Sequence, residues 1–133
     1  MEEYVKKGML NNEIAETIKS LGYQKEVITA DSAEKKSIDE IRRLGIDRIR
    51  AAKKGPDSVI QGIQFLSQFE LIVDERCVKL IEEFENYTWQ KDKKTNEYTN
   101  VPVDSYNHVI DAARYAVEGL NKKTVVNLFK GGL

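Results

Sequence analysis

Asp31 is the first residue whose setting suggests chemistry. It closes the short β-prone run Val27-Ile28-Thr29-Ala30, where a strand gives out into a loop ahead of a helix. In α/β sheets ligands gather beyond the carboxyl ends of strands. A carboxylate there is a hard oxygen donor suited to a divalent cation. The same position suits a plain helix cap equally well.

The second candidate is the segment SYNHVIDAARYAVEGL near the end of the chain. Val109, Ala113, Ala116, Val117 and Leu120 fall on one helical face. At about 100° per residue, Asp111 points roughly 160° or more from that stripe, with His108 and Tyr115 flanking it. His108 and Asp111 are three apart, one turn along the helix, and can address one site. A carboxylate suits Mg²⁺ or Mn²⁺, and an imidazole beside it could ligate or shuttle a proton. On spacing alone, a solvated polar face is the commoner origin of this pattern.

The third is a cluster of cations, Arg42, Arg43, Arg48, Arg50, Lys53 and Lys54, with a second group, Lys91, Lys93 and Lys94, further on. Such groups can hold phosphates without regard to base sequence. Charges guarding a strand edge give the same composition.

These residues need elements to hold them. Tyr4 and Val5 could close a strand. Asn11 or Asn12 caps a helix carrying Ile14, Ile18 and Leu21, which Gly22 stops. The strand 27–30 follows. Ser32 or Ser37 then caps a helix with Ile38, Ile41 and Leu44 on one face; Ser37 and Glu40 have capping-box spacing, and Gly45 ends it. Alternation over 46–52 predicts a strand. Lys53-Lys54-Gly55-Pro56-Asp57 is a turn, with Pro56 suited to the first turn of the helix carrying Val59, Ile60, Ile63 and Leu66. A strand over 69–73, a helix through Val78, Leu80, Ile81 and Phe84, and a hairpin over 87–101 with the polar tip KDKKTNE come next. Pro102 breaks the chain, and Asp104 or Ser105 caps a last helix to about Gly119. Residues 121–133 read as a fraying tail. Helices alternating with short strands give the α/β class with a partly parallel sheet.

Composition narrows the chemistry. The chain has 133 residues, 21 Lys plus Arg against 22 Asp plus Glu, one His and one Cys. Net charge therefore says nothing about partners. A lone cysteine, Cys77, excludes an internal disulfide and a cysteine-based zinc site, and reads as a small half-buried hydrophobe. A single His and a single Cys leave little material for a Cys-His or Ser-His-Asp triad. No glycine-rich loop runs into Lys-Ser or Lys-Thr, so there is no ATP site of that kind. No apolar run is long enough for a membrane span, and the first residues lack a signal-peptide pattern; a soluble chain inside the cell is expected.

Three stretches together resemble the carboxyl-terminal nuclease domain of tailed-phage terminase large subunits. They are VITADSAEKKSIDEIRRLGI (27–46), AAKKGPDSVIQGIQFL (51–66) and DSYNHVIDAARYAV (104–117), in the family's order. The last resembles the family's Asn-His-x-x-Asp-Ala-x-Arg-Tyr motif. The resemblance runs from about residue 4 to about residue 120. It implies a ribonuclease H-like fold, a partial nuclease domain over 1–120 and a tail over 121–133. It also implies a two-metal endonuclease, using Mg²⁺ or Mn²⁺, that cuts concatemeric phage DNA. Carried over, Asp31 matches the acidic residue ending the family's fourth strand. Asp111 matches that of the final helix, and His108 the histidine one turn before it. Arg48, Arg50, Lys53, Lys54, Lys91, Lys93 and Lys94 would then hold double-stranded DNA. The implied partners are the motor domain, small subunit and portal, and the implied place is the host bacterial cytoplasm.

One departure qualifies this expectation. The family's first catalytic aspartate lies on the first strand of the fold, and residues 1–8 match only the end of the third. The fold is therefore expected to lack its first strands, the metal site to be incomplete, and nuclease activity to be low. An open edge on the 27–30 strand would favour self-association. The alternative is a non-catalytic module that binds DNA or a portal. A resolvase or integrase relative is disfavoured by the Lys-Lys-Gly-Pro turn and the Ser-Val-Ile-Gln-Gly-Ile helix after it.

Overall fold

The computed structural model describes the backbone of residues 3–131 and the side chains of residues 3–120. The elements are α1 (Asn11–Ser20), β1 (Ile28–Ala30), α2 (Lys35–Arg43), β2 (Ile49–Ala51), α3 (Ser58–Leu66), α4 (Val78–Asn86), β3 (Trp89–Lys91), β4 (Tyr98–Pro102) and α5 (His108–Gly131). They fall into two compact units. One takes the start of the chain through Val5 with Val59–Arg114; the other takes Lys6–Ser58 and the chain from Tyr115 on.

The second unit is built on a parallel pair. β1 lies beside β2 with Ile28 opposite Ile49 and Ala30 opposite Ala51. Parallel strands need a crossover, and α2 supplies it. Ile38 and Ile41 of α2, Ala15 of α1, and Ile46 and Ile49 form one buried cluster, with Ile14, Ile18, Ile28 and Leu44 packed around it. The helical spacing of those isoleucines is what turns two short helices onto a sheet of only two strands. Gly22 and Gly45 end α1 and α2 as the sequence predicts, each in the left-handed region. The next residue in each case reaches back into the helix: Tyr23 N–H donates to the Ile18 carbonyl (3.1 Å) and Ile46 N–H to that of Ile41 (3.4 Å).

The first unit holds α3, α4, the β3–β4 hairpin and the opening of α5. Cys77, Leu80 and Ile110 are its buried cluster, with Val73, Tyr87 and Val109 against it. Phe65 and Phe69 meet edge to face, ring centroids 5.2 Å apart. Cys77 is fully buried, deeper than the half-buried hydrophobe expected from the sequence. At the hairpin tip Asp92 accepts the N–H groups of Lys94 (2.7 Å) and Thr95 (3.1 Å), which organises an otherwise polar turn.

Several boundaries differ from expectation. Tyr4 and Val5 are not in a strand. Neither asparagine caps α1; both lie within it. Leu10 precedes the helix, and its N–H is taken by the Glu13 carboxylate at 2.7 Å. Ser37 sits inside α2, its hydroxyl donating to Glu34. The predicted 46–52 strand is shorter, because Ile46 is spent in the core before β2 begins. The 69–73 stretch is not a strand. Ile72 is 87% exposed, Phe69 and Leu71 are exposed too, and no described strand pairs with it to satisfy its backbone. Pro102 ends β4 opposite Trp89 instead of breaking the chain before it. The last helix starts at His108, after Asp104 and Ser105, and its backbone runs on to Gly131 where a fraying tail was expected. Side chains beyond residue 120 and the last two residues lie outside the described set.

Candidate metal centre

The parallel pairing of β1 and β2 puts their carboxyl ends together, so the residues following each strand meet. Asp31 follows Ala30, and Lys53 and Lys54 follow the Ala51–Ala52 end of β2. Ala52 N–H donates to the Ala30 carbonyl at 2.7 Å, closing the ladder at that level. Asp31 Oδ1 then accepts the Ala33 N–H at 3.0 Å and lies 2.9 Å from Lys54 Nζ. The carboxylate thus both turns the chain toward α2 and carries a lysine counter-ion. Lys53 contributes its backbone N–H to Glu118 Oε1 at 2.8 Å.

The Lys54 ammonium holds the Asp31 carboxyl below its ordinary value, helped by the Ala33 N–H and opposed by partial burial. A lowered folded value makes the pair's contribution complete above the usual 3.8, with loss as pH falls through the lowered one. Both side chains are more than half exposed (54% and 58%), so water screens the pair and its worth is under about 1 kcal/mol. Lys54→Met is expected to raise the Asp31 midpoint toward the usual carboxylate value, read by carboxyl ¹³C NMR. An unmoved midpoint would mean the salt bridge is not maintained in solution.

His108 and Asp111 stand in the other unit, in the first turn of α5. The helix turns the predicted stripe inward only in part, with Val109 against the buried cluster and Ala113 and Val117 half-buried. Its buried positions are Ile110 and Arg114, while Ala116 and Leu120 are exposed. Asp111 is accordingly half-buried on the flank of that face, not opposite it. Arg114 reaches back one turn: its Nη2 donates to Asp111 Oδ1 at 2.7 Å and its Nε to the same oxygen at 3.2 Å. Asp111 also lines a pocket with Tyr87, Val103, Asp104 and Asn107. Burial pushes the Tyr87 phenol up, and the nearby Asp111 carboxylate adds to this. His108 is exposed.

The sequence did not disclose what holds this turn. Glu83 of α4 is buried, and its Oε2 accepts the N–H groups of Val109 (2.7 Å) and Ile110 (2.8 Å). Its mid-helix place among acidic neighbours gives no local cue. Arg114 was likewise hidden, because a cation in an amphipathic pattern reads as solvated.

The cations are exposed, as phosphate contacts would require, though several also have internal partners. Arg42 spans Asp39 and the Ile49 carbonyl (2.8 and 2.9 Å), and Arg48 donates to the Lys25 carbonyl (3.2 Å). Arg50 donates to Thr29 at 3.4 Å. Lys91 lies 4.9 Å from the Tyr98 ring centre, while Lys93 and Lys94 occupy the hairpin tip.

In kind, two aspartates and an imidazole fit a hard divalent cation such as Mg²⁺ or Mn²⁺. In number, no three His, Cys, Asp or Glu side chains among the described residues are grouped as a metal cluster. No described helix is long and apolar enough to cross a membrane.

The comparisons with known proteins bear on the whole arrangement. The family described as Terminase RNAseH like domain matches residues 1–119. The terminase large subunit of Bacillus phage SPP1 is 41% identical over 118 residues, 86% of this chain and 28% of that protein. The PBSX phage terminase large subunit of Bacillus subtilis (strain 168) is 34% identical over 121 residues, 87% of this chain and 27% of that protein. The chain thus spans little more than a quarter of either relative. A crystal structure of the large terminase nuclease domain from bacteriophage SPP1 with bound Mn superposes with a TM-score of 0.80 at 38% identity. The match covers 89% of this chain and 68% of that one. With a family match over nearly its whole length and a ribonuclease H-like structure agreeing with it, the chain belongs to the terminase RNase H-like domain family.

Proposed function

We propose that this chain serves as the nuclease module of a DNA-packaging terminase large subunit, and that Asp31, Asp111 and His108 belong to its metal site. The observation that carries the reading is the likeness, at 38% identity over 89% of the chain, to a nuclease domain crystallised with bound Mn. The position of Asp31 at the carboxyl end of β1 supports it.

The substrate is the phosphodiester backbone of double-stranded DNA, and the cation is Mg²⁺ or Mn²⁺. Two such ions, when bound, activate a water and stabilise the leaving oxygen of a phosphodiester. Asp31 and Asp111 supply carboxylate oxygens. Arg114 Nε and Nη2 both donate to Asp111 Oδ1, which orients the carboxylate for a cation. His108, one turn before, can hold or pass a proton. Arg48, Arg50, Lys53, Lys54, Lys91, Lys93 and Lys94 bind phosphates without reading bases. The motor domain, small subunit and portal are the partners, in the host cytoplasm.

A DNA- or portal-binding module without chemistry is favoured by one observation, that no three-ligand group is assembled among the described residues. The two readings separate on metal. Mn²⁺ is titrated into the 133-residue chain by calorimetry, and plasmid nicking is followed in parallel. The nuclease reading expects a Mn²⁺ site that Asp31→Asn and Asp111→Asn each weaken about tenfold or more, with slow nicking that both abolish. Salt-dependent DNA binding with no response to metal or to either substitution would sink it.

A further inference from the structure

We propose that Glu83 is the positioning residue for the His108–Asp111 turn, its buried carboxylate fixing the first turn of α5 and thereby where both side chains stand. The inference rests on reading those two as site residues.

The first N–H groups of a helix have no partner within it, and a helix start in a packed interior must find acceptors elsewhere. Little local capping is available here. Tyr106 carries φ of 52°, a left-handed value that a non-glycine residue holds only under constraint. Asn107, the residue before the helix, donates its side-chain amide to Asp104 Oδ1 at 3.2 Å. Glu83 supplies the acceptor instead. It is 6% exposed, and one oxygen takes both the Val109 and the Ile110 N–H, at 2.7 and 2.8 Å. Those two residues lie between His108 and Asp111 in the chain.

A carboxylate suits this task better than a hydroxyl. The helix N-terminus carries partial positive charge, and a negative group is stabilised there most when water is excluded. The packing agrees. Leu80, one turn before Glu83 on α4, joins Ile110 in the same buried cluster. α4 therefore grips the opening of α5 by contact and by charge together. The two hydrogen bonds are what fix direction, because they are oriented and apolar contacts are not.

The test compares Glu83→Ala and Glu83→Gln with Leu80→Ala, which loosens the same core without touching the cap. Amide hydrogen exchange is followed residue by residue. Glu83→Ala is expected to speed exchange at Val109 and Ile110 about tenfold or more beyond the change elsewhere in the unit. Glu83→Gln, still an acceptor but uncharged, should fall between it and wild type. Leu80→Ala should speed exchange broadly. His108, the only histidine, gives a second readout: the Mn²⁺ concentration that broadens its ring signals should rise severalfold in Glu83→Ala and stay near wild type in Leu80→Ala at matched stability. Uniform acceleration in Glu83→Ala, or equal exchange in Glu83→Gln and wild type, would overturn the proposal. A wild-type His108 signal indifferent to Mn²⁺ would count against the metal site alone, with the exchange comparison still deciding the role of Glu83.

Discussion

Arg114→Ala is expected to destabilise the unit containing Asp111 by about 2–3 kcal/mol. Arg114 is 8% exposed and Asp111 30%. Removing one partner of a buried pair leaves the other charge partly desolvated and unmatched, which costs more than the pair contributes. The exposure of Asp111 keeps the figure below that of a fully buried pair. Packing adds to the loss. The Arg114 stem lies over Gly62 of α3 so closely that a Cβ there would sit 2.9 Å from its Cδ. Truncation therefore opens a cavity along α3 as well as stranding a carboxylate. Urea denaturation followed by the fluorescence of Trp89, the only tryptophan, measures the loss. Arg114→Lys should recover part of it, since it keeps charge and stem without the two-donor fork on Oδ1. A loss below about 1 kcal/mol would mean the pair is solvent-screened.

Arg114 also marks where sequence reading stops. Features with a local cause were legible. The stop glycines Gly22 and Gly45, the β-prone run ending at Asp31, the hairpin around KDKKTNE and the isoleucine spacing of α1 and α2 all follow from neighbours a few residues apart. Features with a distant cause were not. Glu83 is 26 and 27 residues from the two amides it caps. Glu3 takes the N–H groups of Lys79 (3.0 Å) and Leu80 (2.8 Å) at the start of α4, again from far along the chain. Neither glutamate differs in local pattern from a solvated one. The inward face of α5 has the same origin: the sequence pattern marks an apolar stripe, whereas the most buried positions are an isoleucine and an arginine matched by its own aspartate.

The candidate site divides along the same line. Position made Asp31 either a cap or a ligand, and the structure withholds the first role: Glu34 precedes α2 with no side-chain cap, while Asp31 Oδ1 takes the Ala33 N–H and Lys54 in the turn ahead of that helix. A cation at Asp31 would have to compete with the Lys54 ammonium. The ammonium displaced in that competition would stand beside the phosphates the site is proposed to bind. The spacing of His108 and Asp111 was right for one turn of a helix, but what fixes that turn is contributed by α4. Family membership says which residues to test; the remote contacts say why those residues stand still.

Ile46→Ala is expected to lower the stability of the other unit by about 3 kcal/mol, near the middle of the range for emptying a buried aliphatic site. Ile46 is the most buried large side chain in the protein's described part, with 0% exposure. It sits in neither helix nor strand. Gly45 takes φ of 103° just before it, which swings the chain so that Ile46 drops among Ala15, Ile38, Ile41 and Ile49. Its carbonyl accepts the Ile49 N–H at 3.3 Å as β2 begins. One side chain thus joins α1, α2 and the strand that pairs with β1, and Asp31 follows directly from that pair. Two short strands cannot hold themselves together in water, so the cluster is what maintains them. A loss of this size corresponds to a fall in melting temperature of roughly 10 °C or more. Ile46→Val, which removes one methyl group, should cost about 1 kcal/mol. Thermal melting by far-UV circular dichroism checks both. If the alanine variant melted within about 3 °C of wild type, less than 1 kcal/mol would be at stake, and the isoleucine cluster would not be what holds Asp31 in place.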